Sequence, residues 1–184
     1  DEARQHYAAA RDAQHAAGAA NEALSAEYNL AYLDFLELRH EQALVGLAHV
    51  RDEAEQRGYP SLAALARLDR AEILLRLGAH EDALAEAREA VAGCDRLGLR
   101  YETAKAELFG ALASFRLGQP EAARLAIERA LVTFDAEGNQ VWIGETLLGL
   151  ATLWSREGNP RASAALIAAA RRRFAAAGDR ERDG

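Results

Sequence analysis

The sequence predicts an all-α protein built as a stacked array of antiparallel helix pairs, and three observations carry that prediction. Gly18, Gly58, Gly98, Gly138 and Gly178 stand 40 residues apart without slippage. Gly78, Gly118 and Gly158 keep the same step and fall halfway between members of the first column. Glycine recurs where a helix must stop, because it enters the left-handed C-cap conformation without a side-chain clash. Two stops per period therefore mean two helices per unit. The third observation is composition: alanine, leucine, arginine and glutamate dominate, and the only three prolines each sit beside a proposed helix start, where the missing N–H is harmless.

Taken in order, residues 1–18 read as one helix ending at Gly18, with Ala3, Tyr7 and Ala10 on one face. These align with Ala43, Leu47 and Val50 one period later, so this helix is the second half of a unit. The chain also begins at Asp1 and contains no methionine, which reads as a piece of a longer polypeptide. Four full units follow, 19–58, 59–98, 99–138 and 139–178, with a tail at 179–184. Each unit has a first and a second helix of about 17 residues, roughly 25 Å long at 1.5 Å per residue. Connections of two or three residues force antiparallel neighbours. The stops read Arg-Leu-Gly at 76–78 and 116–118 and Arg-Glu-Gly at 156–158, and Pro120 and Pro160 restart the chain two residues later. Leu38 occupies the glycine column in the first full unit, which predicts a less firmly fixed turn there.

Register across units gives the packing. Ala31, Ala71, Ala111 and Ala151 form a small column in the first helices, and Ala43, Ala83, Ala123 and Ser163 another in the second. Small residues let helix backbones approach closely. Larger apolar side chains fill the columns Leu47, Ala87, Ile127, Ile167 and Ala54, Cys94, Phe134, Phe174, with Val50, Ala90, Ala130 and Ala170 between them. The first helices are apolar around more of their circumference than a surface helix, as expected for elements sandwiched in an array.

In the third unit the pattern is Ala111, Gly118, Ala123, Ala130, and in the fourth Ala151, Gly158, Ser163, Ala170. Repeated in phase over residues 1–178, it resembles the tetratricopeptide repeat (TPR) family, in an extended 40-residue form. The aromatic expected near the start of each first helix is replaced by Glu27, Arg67, Glu107 and Leu147, and the closing proline by the glycine column. The phrase Phe134 to Trp142 is similar to the arrays of bacterial caspase-like CHAT peptidases, and to the sensor arrays of large ATP-dependent transcription regulators. The resemblance implies a right-handed α-solenoid whose first helices line a concave groove. Mapped onto this chain, the groove would offer Ser25, Tyr28, Asn29, Tyr32 and Phe35, then Asp69, Glu72 and Arg76. Lys105, Phe109, Leu112 and Arg116 would follow, and last Glu145, Thr152 and Arg156. An aromatic end giving way to a charged one suits an amphipathic peptide or helix. The competing reading is that Tyr28, Tyr32 and Phe35 cover the next helix.

Arg76, Arg116 and Arg156 stand in register. They form either a ladder of bidentate donors for carboxylates or phosphates, or the cations that complement helix C-termini, with Arg76 paired to Glu72. The carboxylate clamp known in this family needs lysine and asparagine pairs, and Asn29 and Lys105 alone do not make one. His49 and Glu53 are four apart, but two ligands make a poor metal site. His40 and His80 share a column in the turn before the second helix, as a pH-sensitive contact or as turn fillers. Cys94 lies in an apolar column and reads as a small core residue. Arg171, Arg172 and Arg173, with Arg180 and Arg182, form the one basic run, read as a solvated helix end. The same helix carries Leu166, Ile167, Ala168, Ala169 and Ala170, an apolar face expected to need more chain or a neighbouring copy to cover it.

Half of the 184 residues are hydrophobic, 28% are charged, and the net charge is −7. That balance suits a folded soluble protein and disfavours nucleic acid as the principal partner. A single cysteine gives no disulfide, and no apolar run reaches the ~20 residues of a membrane span, so a cytoplasmic setting is expected. No phosphate loop, nucleophile elbow or His-Glu-x-x-His occurs. The expectation is a non-catalytic scaffold, without cofactor or metal, that binds a protein or peptide in its groove. Further domains of the parent chain and end-to-end self-association would be its other contacts. Two other classes stay open: a small-molecule sensor of a transcription regulator, and the accessory array of a CHAT-type peptidase.

Overall fold

A computed structural model of the chain describes residues 2–182, with side chains through residue 178. Among the described residues there are nine helices and no strand. They are α1 (Glu2–Ala16), α2 (Ala20–Leu36), α3 (His40–Gln56), α4 (Pro60–Leu77), α5 (His80–Arg96), α6 (Arg100–Arg116), α7 (Pro120–Ala136), α8 (Gln140–Arg156) and α9 (Pro160–Arg182). Each packs on the next, so the chain zigzags along the array.

The turns are built alike. At the end of α3, Gly58 has φ 69°, its N–H bonds to the Glu55 carbonyl, and the Tyr59 N–H reaches back to the Ala54 carbonyl at 2.7 Å. This pair of reversed bonds satisfies the last carbonyls and turns the chain back on itself. Leu38 takes the same conformation at φ 62°, with the Arg39 N–H on the Asp34 carbonyl at 2.8 Å. The turn expected to be loose is therefore closed in the same way, at the cost of a side chain held in a left-handed backbone. The stop expected at Gly178 is absent: α9 runs through it to Arg182. Gly178 sits inside the helix, where a glycine costs about 1 kcal/mol relative to alanine and is carried by the alanine-rich turns before it.

Two layers result. The backbones of the first helices of the units, α2, α4, α6 and α8, approach one another in sequence, whereas those of α1, α3, α5, α7 and α9 come close only to the first helices beside them. The layer whose members meet lies on the shorter arc, so α2, α4, α6 and α8 form the inner wall. Between the layers the expected columns are buried: Ala31, Ala71, Ala111 and Ala151 in the inner helices, and Leu47, Val50, Ile127, Ala130 and Phe134 in the outer ones. Cys94 is buried in the same column, and burial pushes its thiol up to about 11.

The apolar face of α9 is less bare than the sequence implies. Leu166 packs against the core of the last two units and Ala170 is buried, while Ile167 and Phe174 are half-buried. The basic run is divided: Arg171 and Arg172 are exposed, but Arg173 donates to Gln140 Oε1 at 3.0 Å. The side chains of Arg180 and Arg182 lie outside the described residues.

Candidate functional site: the inner wall

One stripe of each inner helix runs along the wall, and these stripes include both buried and exposed members. Helix periodicity places Ser25, Asn29, Tyr32 and Leu36 along it in α2, at steps of four, three and four residues. The repeat carries the same stripe to Leu65, Asp69, Glu72 and Arg76 in α4, to Lys105, Phe109, Leu112 and Arg116 in α6, and to Glu145, Gly149, Thr152 and Arg156 in α8.

At the α2–α4 junction, Tyr28 and Tyr32 stack with ring centroids 6.5 Å apart, and Phe35 meets Tyr32 edge-on at 5.9 Å. The Tyr28 hydroxyl donates to Asp69 Oδ2 at 2.5 Å. Asp69 is buried, and loss of hydration lifts its carboxyl to about 6 against the pull of the Tyr28 bond and the Lys105 charge. Burial beside Asp69 raises both Tyr28 and Tyr32. One turn further along, the Arg76 guanidinium lies 5.2 Å from the Phe35 centroid and its Nη2 bonds Glu72 Oε1 at 2.6 Å. Tyr28 and Phe35 thus reach the next inner helix, as the covering reading requires, and Tyr32 stays half-buried between them.

At the α6–α8 junction, Lys105 Nζ sits 4.8 Å from the Trp142 ring and 6.0 Å from Phe109. Phe109 meets Trp142 edge-on at 5.8 Å and is itself buried. Arg156 lies 5.2 Å from the centroid of Phe115, repeating the Arg76–Phe35 arrangement two units later. Between these two stacks lies an open recess of about 400 Å³, lined by Arg76, His80, Leu112, Arg116, Glu145 and Thr152 over an apolar floor that includes Leu148.

The predicted residues therefore fall into two groups. Phe35, Asp69, Glu72 and Phe109 are buried and build the wall, and Tyr28 is tied into it through Asp69. Arg76, Arg116, Glu145, Thr152 and Arg156 are exposed, with Ser25, Asn29, Tyr32, Lys105 and Leu112 half-exposed. Two participants were not foreseen. Phe115 repeats Phe35 at twice the unit length, a signal the register carried. Trp142 aligns with Glu22, Leu62 and Glu102, so no column announced it.

Elsewhere His49 and Glu53, four apart on α3, do not meet. His49 Nε2 lies 3.2 Å from Glu27 and Glu53 binds Arg57, because the neighbouring helix and turn offer closer partners. His15 of α1 approaches the other oxygen of Glu27 at 2.9 Å. No cluster of three or more metal-ligating side chains is assembled among the described residues. No helix among them is long and apolar enough to cross a membrane.

The wall and its two-layer support define a helical-repeat protein. No family model matches the chain, and no curated protein matches it in sequence. Solved structures do match in shape. BtubC (BKLC) from P. vanneervenii superposes with a TM-score of 0.71 at 19% identity, over 86% of this chain and 65% of that one. The apo form of RapI superposes with a TM-score of 0.74 at 12% identity, over 87% of this chain and 58% of that one. This chain thus spans less than two thirds of either neighbour, and at such identities the likeness is one of fold.

Proposed function

We propose that the chain is a non-catalytic scaffold of extended tetratricopeptide-type repeats that binds a protein or peptide segment along its inner wall. The observation that supports this most directly is the open recess between the Arg76–Phe35 and Arg156–Phe115 stacks, where apolar floor and unneutralised polar side chains lie side by side. A surface of that kind holds a segment by apolar anchoring and directional polar contact together. Its support is rigid, since each inner helix is fixed by side chains of the next, so little ordering cost falls on the scaffold. The reading places the chain in a cytoplasmic regulatory protein, with binding as its whole contribution.

The test is selection of peptides from a displayed random library on the immobilised chain, followed by hydrogen-exchange mapping of the tightest binder. Protection centred on α4, α6 and α8 is the expected result. Protection confined to α3, α5 and α7, or enrichment of no sequence while a metabolite mixture raises the melting temperature, overturns it; the latter result supports the small-molecule sensor instead.

A further inference from the structure

We propose that the cleft between the outer helices α3 and α5 binds a free α-amino acid with an apolar side chain, its ammonium held by Glu89 and its carboxylate by Arg96. The site belongs to the outer layer and does not depend on what the inner wall holds.

The cleft encloses about 400 Å³ and opens over the first two turns of α4. Ala63, Ala64 and the Gly93 backbone form its floor, and the exposed side chains of Tyr59 and Leu97 stand at its sides. Its volume falls within the ~300–1,000 Å³ of small-molecule sites.

The corresponding junction is closed in the other units. Between α1 and α3, His15 approaches Glu27 at 2.9 Å and His49 approaches it at 3.2 Å, so the inner helix bridges both outer ones. Between α5 and α7, Thr133 stands in the place of Gly93, Arg129 reaches Glu107 at 3.1 Å, and the cleft is only about 180 Å³. Between α7 and α9, Arg173 takes the place of Gly93 and donates to Gln140. Neither closure forms between α3 and α5. Arg67, in the place of Glu27, is drawn to Glu55 at 2.6 Å and to Glu86 at 3.1 Å, so Glu89, in the place of His49, is left without a bridge. Close packing explains Gly93 itself, since an added Cβ would stand 2.9 Å from the Ala64 Cβ. It does not explain why one side chain of each charge lines the cleft unpaired.

Among the described residues Glu89 makes no hydrogen bond or ion pair. Arg96 engages only its Nε, on the Ala92 carbonyl at 3.0 Å, which folds the side chain back along α5 towards Glu89. With Arg67 and Glu55 paired to each other, the uncommitted charges are thus one carboxylate and one guanidinium on the same helix. A simple cation would leave Arg96 unmatched, and a phosphate would meet Glu55 and Glu89 as like charges. An α-amino acid carries its ammonium and carboxylate on one carbon, which matches the pair. Its side chain then lies on Ala63 and Ala64 between Tyr59 and Leu97, and an aromatic one gains a ring contact with Tyr59.

The experiment is a chemical-shift titration of the backbone amides of the intact chain with L-phenylalanine. L-phenylalaninamide and N-acetyl-L-phenylalanine, each lacking one of the two charges, are titrated beside it. Phenylalanine is expected to shift the amides of Gly58, Ala64 and Gly93 saturably, and each blocked ligand to bind at least ~10-fold more weakly, the loss of one charge-assisted contact. Glu89→Gln should weaken phenylalanine about tenfold and leave the N-acetyl compound unchanged. Arg96→Gln should weaken phenylalanine equally and leave the amide unchanged. Arg88→Gln, an exposed cation on the same helix, should alter none of the three. All three substituted residues are exposed, and the unliganded spectra should overlay the parent outside the substituted turn. Equal affinity for the three ligands, an equal loss in Arg88→Gln, shifts confined to the inner wall, or no saturable shift at millimolar ligand overturns the proposal. Binding of the N-acetyl compound as tightly as of phenylalanine also overturns it, in favour of the C-terminal residue of a polypeptide.

Discussion

The Tyr28 hydroxyl and the Asp69 carboxylate meet at 2.5 Å across the junction of α2 and α4, tying one unit's inner helix to the next. The bond carries an electrostatic cost, because Asp69 is buried and the Lys105 ammonium that favours its charge lies over Trp142 rather than in an ion pair with it.

That cost gives a signed pH dependence. The native carboxyl is lifted from an ordinary 3.8 to about 6, so between those values the folded protein holds a proton that the unfolded chain has released. The stabilisation is complete below the lower value and is lost as pH rises through the upper one, by about 3 kcal/mol at most. Asp69→Asn keeps an acceptor for Tyr28 and removes the titration. It should be more stable than the parent at pH 8 in urea unfolding, with the advantage shrinking towards pH 4. An advantage that grows as pH falls would contradict the assignment.

Leu38 holds φ 62° with its side chain 75% exposed, so it sustains left-handed strain with little packing in return. Leu38→Gly should stabilise by about 0.5–1 kcal/mol, the strain of ~1–2 kcal/mol less the added freedom of the unfolded chain. A melting temperature higher by about 1–4 °C is the expected calorimetric result.

Glu86 of α5 is nearly buried and accepts from three arginines. Arg70 Nε reaches it at 2.7 Å, Arg51 Nη1 at 3.0 Å and Arg67 Nη1 at 3.1 Å. Glu86→Ala would leave these guanidinium groups facing one another at the junction of α3, α4 and α5. A loss of about 3 kcal/mol is expected in chemical denaturation, at the lower end for broken buried pairs because the arginines are partly hydrated. Arg51→Ala alone should cost less, since two cations remain on the carboxylate.

Gly46 of α3 crosses α2 at Ala31, where an added Cβ would stand 2.8 Å from the Ala31 Cβ. Gly46→Ala gains helix propensity of ~1 kcal/mol, yet neither methyl can rotate aside, so the helices must separate. A net destabilisation of about 1–2 kcal/mol is expected, from an overpacking cost that exceeds the gain. Ala31→Gly in the same chain should restore most of it, measured as a non-additive double-mutant cycle.

Much of the architecture could be read in advance because it is local. A glycine at Gly58 or Gly118 enters a left-handed turn through its own backbone freedom, and the 40-residue step of those turns fixes where each helix begins and ends. The stripe from Tyr32 to Arg156 follows from helical period and register. The alternative that Tyr28 and Phe35 cover the next helix was also visible, and only packing chose between covering and ligand contact for each side chain.

What the sequence by itself determined about this protein was the count, length and antiparallel order of its helices, since propensity and turn chemistry act within a few residues. Tertiary structure alone decided which side chains meet: Tyr28 with Asp69, Lys105 with Trp142, Glu86 with its three arginines. Such pairings depend on the rotation and offset of one helix against another, set by close contacts such as Ala31 on Gly46 rather than by any local pattern. Gly178 marks the boundary between the two: it keeps the register of Gly58, yet it lies within α9 rather than at a turn.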